Sequence, residues 1–168
     1  MNLREVNALD EDAFTNLCGG VFEHSPWIAR GAHALRPFAD VDALHAAMLA
    51  VLNAADRSEK LALIRAHPEL AGRAMIANTL TRESSGEQSG AGLDRCSPSE
   101  FATLVALNDR YNAKFGFPFI LAVRGYDRQG VIAEFARRVE RDADTEFEEA
   151  LRQIARIGAF RLRALIDA

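Results

Sequence analysis

Apolar residues recur at helical spacing along most of the chain, and each apolar run follows a residue that commonly caps helices. Asp and Ser side chains accept hydrogen bonds from the free N–H groups of a first helical turn, and proline fits that turn without loss. Seven helices are predicted on this basis, starting after Asp10, Ser25, Asp40, Asp56, Ser97, Asp127 and Asp144. Gly19-Gly20 is expected to end the first helix and Pro68 the fourth.

Alternating patterns typical of β-strands are nearly absent. Only residues 119–123 could form a strand, and a lone strand would have no pairing partner. We therefore predict an all-α fold, a single compact domain of about seven to eight helices over residues 1–168. The longest stretch without helical periodicity is residues 70–94, and long irregular segments in compact domains are usually functional or disordered. This stretch is the first place to look for a site.

Charge and cysteine usage narrow the class of protein. The net charge is −4, and acidic and basic residues are interspersed, so no basic face is expected to bind nucleic acid. The two cysteines, Cys18 and Cys96, are far apart and neither belongs to a CxxC pair. No apolar run approaches the ~20 residues of a membrane span, and the N-terminus lacks signal-peptide features. We expect a reduced, cytoplasmic setting and no membrane partner.

His67 is the first residue that breaks its local pattern. It follows Leu63 and Ile64 on an apolar helical face, and Pro68 ends the helix directly after it. The imidazole is thus expected to face inward at a helix C-terminus, where the helix dipole favours its cationic form. Histidine exchanges protons near neutral pH, so a catalytic role is open. A core histidine bonded to a carbonyl group is the alternative.

Arg161 is the second exception. It lies seven residues after Ile154 and fourteen after Phe147, on the apolar stripe of the last helix. A guanidinium on such a stripe is costly unless an anion pairs with it. That anion could be a core carboxylate or an anionic substrate, and the alternative is a side chain that merely reaches water.

The third exception is residues 115–120, Phe-Gly-Phe-Pro-Phe-Ile, a rigid apolar turn after a helix. Its free N–H groups could bind a flat polar heterocycle, although aromatic core packing is the alternative. Other site types are disfavoured. Gly86, Gly90 and Gly92 are not followed by a Gly-Lys-Ser/Thr sequence, and the four histidines lack metal-ligand spacing, so no metal site is expected.

Taken together, these residues resemble the OHCU decarboxylase family, named after 2-oxo-4-hydroxy-4-carboxy-5-ureidoimidazoline. His67 to Gly72, His-Pro-Glu-Leu-Ala-Gly, is similar to the first family signature. The segment from Ser84 to Leu93 is similar to the second, and residues 115–120 to the third. The closing helix, with Ile157-Gly158 and Arg161-Leu162, also resembles its counterpart. The resemblance covers essentially the whole chain, and three motifs in order are far more specific than one.

The resemblance implies an all-helical enzyme that converts OHCU to (S)-allantoin and carbon dioxide, the last step of urate degradation to allantoin. No metal or organic cofactor is implied, and homodimers are frequent in the family. His67 would be catalytic, together with Glu87. The substrate-binding residues would be Pro68, Ser84, Gln88, Arg161 and the backbone of Phe119, Ile120 and Leu121.

Two other functional classes remain open at this point. Ser84 or Ser85 could form a hydrolase triad with His67 and Glu87, although the serine lacks a GxSxG elbow. A screen for ester and amide hydrolysis would discriminate. A non-enzymatic helical interaction module would explain the helices but not the polar exceptions on apolar surfaces. An intact fold that no ligand stabilises would favour such a module.

Overall fold

The computed structural model describes residues 1–72 and 80–166, which hold nine α-helices. In chain order they are α1 Leu3–Ala8, α2 Glu11–Cys18, α3 Pro26–His33, α4 Val41–Ala54, α5 Arg57–Ala66, α6 Arg82–Gly90, α7 Pro98–Phe115, α8 Arg128–Arg138 and α9 Ala143–Leu165. A short 3₁₀ helix, Leu93–Arg95, follows α6. These ranges contain no β-strand, so the prediction of an all-α fold is confirmed.

Helix starts follow the predicted caps closely. Asp10, Asp40 and Asp127 each accept a hydrogen bond from a backbone N–H three residues later, at 2.6–2.8 Å. Ser97 and Glu100 form the predicted reciprocal capping box at the start of α7. Each cap satisfies an N–H group that has no acceptor inside its helix. The local sequence therefore determines where these helices begin.

Two predicted caps differ in the structure. Ser25 precedes α3, but its side chain makes no capping hydrogen bond, and its hydroxyl donates to the Glu23 carbonyl at 3.0 Å instead. Asp142, rather than Asp144, precedes α9 and accepts from the backbone N–H of Thr145 at 2.8 Å. Asp144 lies in the first turn, where the helix dipole favours an acidic side chain. The short helix α1 was not predicted, because its six residues bury a single apolar side chain, Val6.

The stretch 70–94 is not irregular throughout, because α6 lies within it. Thr81 starts this helix by accepting a hydrogen bond from the Ser84 backbone N–H at 3.3 Å. The buried face of α6 is polar: Ser84 and Gln88, one turn apart, are 3% and 1% exposed. A polar buried stripe gives no hydrophobic periodicity, so the pattern missed this helix. Residues 73–79 of the stretch lie outside the described residues.

The chain divides into two compact units. The first contains residues 1–66 and the chain from Ile154 onward, and the second contains residues 67–153. Helix α9 therefore begins in the second unit and ends in the first. The prediction of one domain over residues 1–168 stays a prediction.

The first unit packs α3 against both α2 and α4. Its core is apolar and includes Val6, Phe14, Ile28, Leu44, Met48 and Leu52. The Phe14 ring lies 5.5 Å from the His33 ring and 6.1 Å from the Phe38 ring, measured between centroids. On α9, a Cβ atom added at Gly158 would approach the Phe22 ring to 3.0 Å. The glycine therefore allows this end of α9 to pack closely against Phe22.

An aromatic cluster forms the core of the second unit. The Phe119 and Phe135 rings are stacked, with centroids 3.9 Å apart and planes 10° from parallel. Tyr111 meets both rings edge-on, at 5.4 and 5.7 Å. Aromatic pairs of this kind contribute about 0.5–1.5 kcal/mol beyond the burial of their area. The cluster therefore joins α7 and α8 to the segment that contains Phe119.

A buried ion pair adjoins this cluster. The Arg138 and Glu146 side chains are both 0% exposed and meet at 2.8 Å. The Tyr111 hydroxyl donates to Glu146 at 2.5 Å, and burial together with this carboxylate raises the pKa of Tyr111. Arg138 Nη1 also donates to the Ile120 carbonyl at 2.8 Å. Several partners thus compensate the cost of burying two charges.

Candidate active site

His67 follows directly after α5 and opens the segment 67–72. Its side chain is buried, with 7% exposure, and Pro68 after it is half-buried. Helix α5 ends at Ala66, one residue earlier than proline alone would require. The inward orientation predicted from the sequence therefore agrees with the structure, and the imidazole lies at the carbonyl end of a helix.

Gln88 ties segment 67–72 to α6. Its Oε1 accepts from the backbone N–H of Ala71 at 2.9 Å, and its Nε2 donates to the Glu69 carbonyl at 3.2 Å. Both ends of one side-chain amide thus contact the backbone of this segment. Gln88 was expected to bind substrate, which stays a prediction; what the structure shows is that its side chain holds the segment that carries His67.

Two asparagines of α7 hold the same segment from another side. Asn108 Nδ2 donates to the Leu70 carbonyl at 3.0 Å, and Asn112 Nδ2 donates to Glu69 Oε1 at 2.7 Å. We call Gln88, Asn108 and Asn112 the amide clamp. Because all three side chains are neutral amides, they hold the segment without adding a charge near His67.

The backbone that the amide clamp holds is strained. Ala71 has a φ of 50°, a left-handed conformation that residues other than glycine rarely adopt. Such conformations persist where the surroundings fix them, and they are frequent at functional sites. Ala71 donates its N–H to Gln88, which is one of the contacts that fix it.

Gly72 lies close to Glu69 within this segment, so a side chain at position 72 has no space. A Cβ atom at Gly72 would come within 2.5 Å of Glu69 Cβ and 2.9 Å of Glu69 Oε2. We expect Gly72→Ala to displace Glu69 from Asn112 and to lower the melting temperature and the activity together. Gly86→Ala is the matched control, because Gly86 lies exposed in α6 with no heavy atom within 4 Å of the added Cβ. Helix propensity predicts that Gly86→Ala stabilises by about 0.5–1 kcal/mol; equal effects of both substitutions would contradict the expectation.

Helix α6 carries three of the predicted site residues. Ser84 and Gln88 are buried on one face, and Glu87 is half-buried. Ser85 is exposed, and both serines lie within the helix, whereas a nucleophile elbow places serine on a turn between a strand and a helix. The arrangement does not favour the hydrolase alternative.

The segment Phe119–Leu121 offers unused backbone donors. All three residues are buried, between 1% and 3% exposed. None of their backbone N–H groups has a hydrogen-bond partner among the residues that the structure describes. Buried N–H groups are nearly always paired, so a run of three without partners indicates a place where a ligand can bind. Other backbone groups of this segment and its next residue are held in place: Arg138 donates to the Ile120 carbonyl, and Gln153 accepts from the Ala122 N–H.

Helix α7 brings these segments together. Asn108 and Asn112 contact segment 67–72, and Tyr111, between them in sequence, contacts the Phe119 ring. All three side chains project from neighbouring turns of one helix. The candidate site in the second unit therefore consists of segment 67–72, the buried face of α6 and the segment 119–121.

Arg161 belongs to the first unit. Its side chain is buried, and Nη1 meets Glu23 Oε2 at 2.8 Å with Glu23 only 2% exposed. The carbonyl of Gly20 lies 3.4 Å from the same nitrogen. The alternative in which Arg161 reaches water is wrong, because a core carboxylate pairs with it. This pair holds the guanidinium in a defined position.

Some residues around these sites were not predicted, namely Glu23, Asn108, Asn112, Arg138 and Glu146. The signal that drew attention to Arg161 would have found two of them. Asn108 lies on the buried stripe of α7 with Leu104, and Arg138 lies on that of α8 with Val131. A polar residue on an apolar helical stripe therefore indicates Asn108 and Arg138 as it indicates Arg161.

The described residues include neither a metal-ligand cluster nor a thiol of lowered pKa. Within ranges 1–72 and 80–166, no group of three or more His, Cys, Asp or Glu is arranged to hold a metal ion. Both cysteines are free thiols, and burial raises the pKa of Cys18 to about 12, so it stays protonated at neutral pH. No helix in these ranges is long and apolar enough to cross a membrane.

Comparisons with known proteins agree with the fold and the motifs. A family model described as OHCU decarboxylase matches residues 7–163. A 2-oxo-4-hydroxy-4-carboxy-5-ureidoimidazoline decarboxylase from Haloferax volcanii is 40% identical over 162 residues, which are 96% of this chain and 94% of that protein. The protein of the same name from Mus musculus is 38% identical over 168 residues, covering 100% of this chain and 94% of its own. A crystal structure of (S)-allantoin synthase has 28% identity and a TM-score of 0.80, covering 99% of this chain and 55% of that one.

Proposed function

Because this chain belongs to the OHCU decarboxylase family, we propose that it converts OHCU to (S)-allantoin and carbon dioxide. The observation that carries the proposal is the family match over residues 7–163, a range that contains every candidate site residue. The similarity to (S)-allantoin synthase supports the same product. The chain is a carboxy-lyase in this proposal.

The substrate itself explains how decarboxylation can proceed without a cofactor. Its carboxylate stands on C4, which also bears a hydroxyl group and is bonded to C5, the ureido-bearing carbon that is doubly bonded to a ring nitrogen. When the bond to the carboxylate breaks, its electron pair forms a C4–C5 double bond and the electrons of the C5–N double bond move to the nitrogen, which takes up a proton, so neither thiamine nor pyridoxal is needed. The C4 hydroxyl of this enol then loses its proton to become a ring carbonyl while C5 receives a proton on one face, which gives a single enantiomer of allantoin.

His67 is the proposed group for proton transfer at the reacting carbon and hydroxyl. Its burial shields it from bulk water, and the strained segment behind it is fixed by the amide clamp. General acid–base catalysis requires a positioned group that exchanges protons near the working pH, which histidine provides. Glu87, half-buried on α6, is the second catalytic candidate.

The remaining site residues are proposed to bind the ring and its substituents. The N–H groups of Phe119, Ile120 and Leu121, which have no partner within residues 1–72 and 80–166, can donate to ring and ureido carbonyl oxygens. Ser84, Gln88 and Pro68 would complete the contacts around the ureido group. Arg161 is proposed to attract the substrate's anionic oxygens, with Glu23 fixing its guanidinium.

The cofactor-free reaction and the assembly are proposed from the family resemblance, and the cytoplasmic setting is proposed from the cysteine usage of the sequence. We propose cofactor-free catalysis on a small ureidoimidazoline in the cytoplasm. A homodimer is the expected assembly, and light scattering on purified protein would give its mass. A monomer would remove this assembly without affecting the proposed reaction.

The reaction is tested by circular dichroism of freshly generated OHCU, made in place from urate by urate oxidase and hydroxyisourate hydrolase. We expect the protein to accelerate OHCU decay and to give optically active (S)-allantoin. Decay at the spontaneous rate with racemic product, from protein shown to be folded, would contradict the proposal. An ester and amide hydrolysis screen of the same sample would then test the hydrolase alternative.

A further inference from the structure

We propose that Asn108 is a positioning residue for the decarboxylation, acting on His67 through the backbone of segment 67–72. The inference rests on the proposed function, because it concerns the placement of the proposed catalytic histidine. Asn108 lies in the interior of α7 and is 3% exposed. Its Nδ2 donates to the Leu70 carbonyl at 3.0 Å, three residues after His67.

The other half of the Asn108 amide makes this contact informative. Oδ1 is buried and has no hydrogen-bond partner among the described residues. A buried acceptor without a partner destabilises the folded state, and an apolar side chain of similar volume would avoid that cost. The buried Oδ1 of Asn108 therefore lowers the stability of the folded state. What it provides on the other side is a fixed orientation of the Leu70 carbonyl.

The orientation of that carbonyl matters because the next residue is strained. The peptide group between Leu70 and Ala71 presents its carbonyl to Asn108 and its N–H to Gln88. Ala71 is held at a φ of 50° beside it. With both polar groups of one peptide bound, the peptide cannot rotate to relieve the strain. If Asn108 is lost, rotation becomes possible and displaces the chain back toward His67.

Two variants with the same number and branching of side-chain heavy atoms separate the donor from the shape of the side chain. Asn108→Leu removes the donor and the unpaired acceptor, and Asn108→Asp replaces the donor Nδ2 by an oxygen. We expect both variants to lower kcat by about 10–100-fold, because small misplacements of a catalytic group cost up to that much. KM should stay within about threefold, since the proposed substrate contacts remain. Hydrogen exchange of the peptide that contains residues 67–72 should become faster.

The control is Leu104→Ala, one turn earlier on the same buried stripe of α7. This variant creates a cavity and is expected to lower the melting temperature by roughly 5–15 °C. It touches no polar contact of the clamp, so kcat should stay within about twofold of wild type. Asn108→Leu should show the opposite pattern, a large loss of kcat at a nearly unchanged melting temperature.

The outcomes separate the two proposals. Wild-type kcat in Asn108→Leu, with wild type active on OHCU, overturns the positioning role alone. An equal loss of kcat in Leu104→Ala also overturns it, because general loosening of α7 would then suffice. If the wild-type protein is inactive on OHCU, the proposed function is overturned. Hydrogen exchange of residues 67–72, compared between wild type and Asn108→Leu, then still decides whether Asn108 holds the segment.

Discussion

Replacing His67 by asparagine is expected to lower the turnover of OHCU by about 10²–10⁴-fold, the usual contribution of a positioned acid–base group. Asparagine keeps much of the size and polarity of histidine but cannot exchange a proton near neutral pH. The fold should remain intact, because Gln88 and Asn108 hold the backbone of segment 67–72 through contacts that this substitution does not change. Initial rates of OHCU decay and the melting temperature, measured on the same preparation, check both parts of this prediction.

His45→Asn is the matched control for this experiment. His45 is half-buried in the first unit, where its Nε2 lies 2.9 Å from the Ala155 carbonyl. It has no part in the proposed reaction, so its replacement should leave turnover within about twofold of wild type. Turnover near the wild-type level in His67→Asn would contradict the catalytic role of His67. Equal losses in both variants would indicate that general loosening of the fold is responsible.

Replacing Glu146 by glutamine is expected to lower the free energy of unfolding by about 3–5 kcal/mol, the largest stability effect anticipated for a single substitution here. The substitution keeps the shape of the side chain but leaves Arg138 as a fully buried cation without its anion. It also disturbs the Tyr111 hydroxyl, which donates to the carboxylate. Guanidinium unfolding curves, analysed by linear extrapolation, measure the loss.

Glu134→Gln gives the comparison with a pair on the surface. Arg137 and Glu134 meet at 2.6 Å, with the Arg137 side chain 56% exposed. Exposed pairs contribute about 0–1 kcal/mol, because water screens them and two long side chains must be ordered. A loss below about 1 kcal/mol in Glu146→Gln would mean that the buried pair is no more important than this one. The slope of the unfolding curve should be unchanged in both variants.

The helical fold was readily predicted because its information is local. A cap such as Asp10 or Asp127 acts within three residues of its own position. Where two equivalent candidates stood close together, as with Asp142 and Asp144, local propensity could not choose between them. Helix α6 was missed for a different reason, since its buried face is made of Ser84 and Gln88 rather than apolar residues.

The candidate site was only partly predictable, because its partners are distant in sequence. A guanidinium on an apolar stripe indicates that Arg161 needs an anion, but nothing local identifies Glu23, 138 residues away. The same holds for Asn108 and Leu70, which are 38 residues apart. The residue pattern singled out His67, but Glu87 and most substrate contacts were identified by motif resemblance alone, and all of these roles stay predictions.

The division of the chain also has a consequence for its synthesis. The first unit needs both residues 1–66 and the end of α9, while residues 67–153 lie between them in sequence. At about 5–20 residues per second, a ribosome takes roughly 4–17 s to translate this intervening part. During that interval Glu23 has been synthesised and Arg161 has not, so the buried ion pair between them cannot yet form. Chaperones that bind emerging apolar helices would therefore meet α1 to α4 before these helices can complete their core.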